Sequence, residues 1–142
     1  TVEADTAEGA AILAFLTAGV QVDAEETAQA VETLNTVSNN ADIPLIYRQV
    51  ATFKALTLQA DTLDIDARRA GFEALAVPGV SLRVVAEEQL ALIDIESGNV
   101  DGAIERFRAI LEDAEATTGL QRRTLQAIVA LGGSPSADEA NE

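Results

Sequence analysis

The residues best placed to do chemistry in this sequence are its carboxylates, because it contains neither histidine nor cysteine. Asp61, Asp64 and Asp66 lie close enough to suggest the opening of a calcium loop, in which oxygen ligands wrap a hard cation. The glycine and the closing glutamate of an EF-hand are missing, so the favoured reading is a loop followed by a helix cap. Glu25-Glu26, Glu87-Glu88 and Glu112-Asp113 are adjacent pairs. Neighbours on a helix point about 100° apart, so such pairs do not converge on one glycosidic bond. The usual nitrogen and sulfur ligands of zinc are absent, as are the groups of any histidine-dependent triad. The glycines show no phosphate-cradling spacing, and no Gly-x-Ser-x-Gly occurs. The expectation is therefore no enzymatic activity, no cofactor and no metal.

Non-covalent binding is left, and the elements that would position it are helical. The chain is organised around Leu82 to Asp113, two helical patterns joined by Ser97-Gly98-Asn99. In the second, Val100, Ala103, Ile104, Phe107, Ile110 and Leu111 share one face of a 3.6-residue period. The first carries Leu82, Val85, Ala86, Leu90 and Ile93 on one stripe, with Val84, Ala91 and Ile95 roughly opposite. A helix apolar on two sides needs chain packed on both flanks. Gly98 suits the left-handed residue that ends the first helix, and Asn99 can cap the second. Phe107 and Leu90 are the expected anchors of this hairpin.

Composition bounds the answer further. The 142 residues suffice for one domain with a proper core, and 48% are hydrophobic while only 4% are aromatic. Alanine and leucine must then do the packing, as in closely approaching helices. The net charge of −15 opposes binding to nucleic acid or anionic membrane, whose phosphates it would repel. No apolar run approaches the ~20 residues of a membrane span, and no signal peptide is visible. The lack of methionine reads as a processed product or a fragment.

In chain order, Thr1 to Thr6 reads as frayed, and helices are expected at roughly 7–18, 23–37, 44–59, 65–76, 81–97, 100–113 and 119–131. The first should end near Gly19 and Asp23 should cap the second, with Ala24, Thr27, Ala28, Val31 and Leu34 inward. Pro44 should open the third, on the face of Leu45, Tyr47, Val50, Ala51, Ala55 and Leu58, and Val77-Pro78-Gly79 should stop the fourth. In the seventh, Leu125, Ile128 and Val129 are expected inward. Residues 1–131 then form one helical domain and 132–142 a flexible acidic tail. Leu45, Leu82 and Leu120 each open a helix after a turn, and Leu34, Phe72 and Phe107 each sit in the helix before. Repetition near the tetratricopeptide length implies stacked helix hairpins in an all-α right-handed solenoid with a concave side.

The central hairpin resembles a tetratricopeptide repeat: Leu90-Ala91 stands for Leu-Gly, Gly98 for the turn glycine, and Ala103-x-x-x-Phe107 for the second-helix Ala-x-x-x-Phe. Glu87 and Asp94 occupy the two large aromatic positions, and Arg68 stands where another unit would carry its small alanine. Pro44-Leu45-Ile46-Tyr47-Arg48, Ala76-Val77-Pro78-Gly79, Leu90-Ala91-Leu92 through Gly98, and Gly119-Leu120-Gln121-Arg122-Arg123 follow in order. Across about Asp42 to Leu131 these runs resemble the tetratricopeptide-like domain of the ancillary translocon-subunit family of Gram-negative bacteria, in its alphaproteobacterial form. The resemblance implies a periplasmic domain of an inner-membrane-anchored protein, with the anchor outside this sequence. It implies protein partners, namely the secretion translocon and periplasmic chaperones, met through the concave groove. In such repeats the first helix of each hairpin lines the groove, which carries over to Val85, Glu88, Leu92 and Ile95. The registers of Leu45 and Leu120 add Arg48, Ala51, Ala55, Arg123 and Gln126. The competing reading is a structural domain that self-associates into homo-oligomers through exposed helix faces.

Overall fold

The structure, a computed structural model, describes residues 6–136. Its seven helices are α1 (Ala7–Asp23), α2 (Thr27–Ser38), α3 (Leu45–Leu58), α4 (Ile65–Leu75), α5 (Arg83–Glu96), α6 (Val100–Glu112) and α7 (Thr118–Ala130). The fold is all-α, with no strand among the described residues. None of these helices is long and apolar enough to cross a membrane. Where length suggested one domain, the chain packs as two compact units, 1–71 and 72–142.

In the first unit α2 packs against both α1 and α3. The core joins Ala11 and Ala18 of α1, Ala30, Val31, Leu34 and Val37 of α2, and Ala51 and Ala55 of α3. Alanines at the contact faces let the helix axes approach closely, and Phe15 and Tyr47 close the α1–α3 side with ring centroids 6.5 Å apart. On α2, Val31 and Leu34 are buried as expected, but at its start Ala30 is the inward residue while Ala24, Thr27 and Ala28 are exposed. On α3, Leu45 is exposed, because the inward row runs through Ala51 and Ala55.

The first helix also runs past its expected end. Gly19 lies inside α1, and Asp23 is its last residue rather than the cap of α2. Glu25 takes the left-handed conformation (φ 63°), so Glu26 N–H donates to Gln21 C=O and Glu25 N–H to Val22 C=O. That is a Schellman motif closed without glycine. Thr6, expected to fray, caps α1 by accepting from Gly9 N–H at 2.9 Å; residues 1–5 lie outside the described residues.

The second unit places α6 between α5 and α7. Its core joins Val84 and Ala91, Ala103, Phe107 and Ile110, and Leu120 and Ile128. Ala86, Leu90 and Ile93, on the other side of α5, are buried too, so that helix is covered on both flanks as its pattern requires. At its end Gly98 (φ 80°) is the left-handed residue, with Asn99 N–H donating to Asp94 C=O, while the Asn99 side chain accepts from Gly102 N–H. On α7 the inward row is Leu120, Thr124 and Ile128. Leu125 and Val129 lie one residue round from it and are exposed, against expectation. The segment after α7 begins anchored: Gly133 N–H donates to Ile128 C=O, and Arg108 Nε to Ser134 C=O at 2.9 Å. Of the expected tail, residues 137–142 lie outside the described residues.

Candidate functional site: the α5–α7 face

Glu88, in the middle of α5, and Arg123, in the first half of α7, meet in a two-pronged ion pair. Arg123 Nε donates to Glu88 Oε1 at 3.1 Å and Nη2 to Oε2 at 3.0 Å. The pair fixes the fork of the guanidinium against the carboxylate and ties α5 to α7. One turn beyond Glu88, Leu92 is 46% exposed. Val85 and Ile95 continue the stripe at i−3 and i+7, half-buried against the core of the unit, and Gln126 on α7 is exposed.

Six of the nine residues expected to line a groove therefore lie in the second unit, on α5 and α7. The other three lie in the first unit. Arg48 is half-buried, and its Nε donates to Ile43 C=O at 3.0 Å, bracing the turn before α3. Ala51 and Ala55 are 0% and 3% exposed, packed in the core against α2, so they offer a ligand no surface. The inward row of α3 is the row that the carried-over register assigned to the groove.

A second feature of the α5–α6 hairpin is built on Glu87 and Asp94. Arg106 Nη1 donates to Glu87 Oε2 at 2.6 Å and its Nε to Asp94 Oδ2 at 3.1 Å. Asp94 is buried. The two departures from the repeat pattern thus share one cation, supplied by α6 one residue before Phe107. Their i, i+7 spacing on α5 was the legible signal, but the partner was not. At the start of α5, Arg83 bridges Asp113 and Glu115. The two clusters flank a cleft of 420 Å³ floored by Val84, Ala109 and Ile110.

The electrostatics all deepen charge. Partial desolvation opposes the charge of Arg106, yet its hydrogen bonds to Glu87 and Asp94 hold its pKa above the ordinary guanidinium value. Arg83 is raised by Asp113 and then Glu115, and Arg123 by Glu88. Arg83, followed by the Glu115 N–H, holds Asp113 below the usual carboxylate range. A proton-transfer site needs the reverse, a group drawn towards neutrality at working pH. These are ion pairs that brace helices. Of the carboxylates weighed for calcium, that of Asp64 is used locally: its Oδ1 accepts from Asp66 N–H at 2.9 Å at the start of α4. Among the described residues no three such groups converge as metal ligands.

The sequence matches no known family and no characterised protein, and the fold matches no solved structure.

Proposed function

We propose that this chain is a tetratricopeptide-like protein-interaction module of a bacterial cell envelope, which holds segments of partner chains non-covalently on the α5–α7 face. The observation that carries the reading is the Glu88–Arg123 pair beside exposed Leu92. It joins α5 and α7, the two helices that the resemblance assigns to the groove, and leaves an apolar anchor rimmed by charge. Burial of Phe107 and Ala103 under α5 supports the same kinship. By the resemblance, the partners are the secretion translocon and periplasmic chaperones, and the module stands in the periplasm on an inner-membrane anchor. Charge-deepening ion pairs favour binding over catalysis.

Leu92→Asp tests this. Capture of translocon subunits and chaperones from envelope extract should fall at least tenfold, while mass by light scattering and thermal midpoint stay unchanged. A variant that captures partners normally but changes its mass would instead assign the face to self-association.

A further inference from the structure

We propose that the outer face of α1 is a separate docking surface, shaped for a short amphipathic helix whose apolar stripe is flanked by lysine or arginine. This does not rest on the α5–α7 reading, since α1 belongs to the other unit.

Between Gly9 and Val20, Thr17 is the one polar side chain of α1, so apolar residues surround its axis, a pattern normal for a helix covered on all sides. Yet only one side is covered, where Ala11 and Ala18 enter the core. On the other, Ile12, Leu16 and Val20 recur every four residues with Leu13 beside them, exposed by 37%, 62%, 68% and 50%. A single exposed leucine means nothing; four on one stripe mark an interaction face. A row at i, i+4, i+8 presents the ridge against which a second helix packs.

Charge names the partner. No lysine or arginine occurs before Arg48, whereas Glu8, Asp23, Glu25, Glu26, Glu32 and Asp42 fall within the described part of that stretch. Glu8 precedes Ile12 by four residues and Asp23 follows Val20 by three, so exposed carboxylates close the stripe at both ends. The last turn of α1 contains no basic residue, and Asp23, Glu25 and Glu26 crowd the negative end of the helix dipole. Lys54 lines a cleft with Asp23 on the covered side of α1, while Glu25 and Glu26 stay exposed at the helix end, where a partner's cation is favourable. A second copy of the chain would bring acid against acid, and a stripe under three turns long falls short of the ~1,000 Å² expected of a stable dimer. A basic amphipathic helix satisfies both the stripe and its ends.

The test titrates the full chain with a labelled 18-residue peptide of leucine and lysine, its leucines at helical i, i+3, i+4 and i+7 spacing. A second peptide has the same composition with the leucines scrambled. Micromolar binding of the first peptide is expected, at least tenfold tighter than the second and weakened at least tenfold between low and high salt. Leu16→Ser with Val20→Ser should weaken it at least tenfold with the circular dichroism melt unchanged, since both side chains are exposed. Asp23→Lys, which leaves the apolar stripe intact, should weaken it at low salt, and Leu92→Asp should leave it unaltered. Equal binding of the scrambled peptide, indifference to the stripe variants, or a dimer mass lost in Leu16→Ser would each overturn the proposal.

Discussion

Arg106 of α6 holds two carboxylates of α5 at once. It spans Glu87 and Asp94, and Asp94 is 4% exposed, so removing the cation takes a charge-assisted partner from a buried carboxylate. Arg106→Leu should lower stability by about 1.5–3 kcal/mol, the range for losing hydrogen bonds to charged groups. Replacing Glu87 and Asp94 by leucine as well should recover most of that loss, because an apolar substitute of similar volume leaves no charge unpaired. Urea unfolding of the single and triple variants checks both figures. Arg83 and Asp113 predict a pH dependence. Asp113 is depressed below its ordinary 3.8, so its contribution is fully present above that value and is lost as pH falls through the lower folded value. The urea midpoint should therefore fall as pH drops below about 4, and Arg83→Ala should flatten that fall.

Helix ends are where the elements of this chain are decided. Gly98 is left-handed at φ 80° with open space around it, so backbone strain alone opposes a side chain there. Gly98→Val should cost about 1–2 kcal/mol. Glu25 holds the same position after α1 at φ 63°, without the freedom of glycine. Glu25→Gly should therefore raise stability by up to ~1 kcal/mol, relieving the left-handed strain and one charge at the helix C-terminus. Thermal melts of the two variants should move in opposite directions. The same contrast explains a misplaced boundary: Gly19 invites a helix end in sequence, yet α1 continues to Asp23 because its Ala18 side is held in the core.

Each of the two units has its own core. Phe107 is 1% exposed at the centre of the second. Phe107→Ala should cost about 3–5 kcal/mol in that unit by opening a cavity. Hydrogen exchange should show protection falling across α5, α6 and α7 more than across α1, α2 and α3. A loss below about 1 kcal/mol would mean that Phe107 is no anchor.

Sequence alone determined the helical class, the α5–α6 hairpin with its Gly98 stop and Asn99 cap, and the buried pair Phe107 and Leu90. Each of these is local or periodic: a repeat of 3.6 residues, a left-handed glycine, a side-chain oxygen three residues before an amide. Tertiary structure decided which of two adjacent apolar rows turns inward. On α7 the row of Thr124 won over that of Leu125 and Val129, and on α3 the row of Ala51 and Ala55 became core. Rows one residue apart differ by only about 100°, and the neighbouring helix selects between them by size and fit. Pairings between distant charges were hidden for the same reason. Glu88 and Arg123 lie thirty-five residues apart in sequence, and only the stacking of α5, α6 and α7 brings their side chains to 3.0 Å.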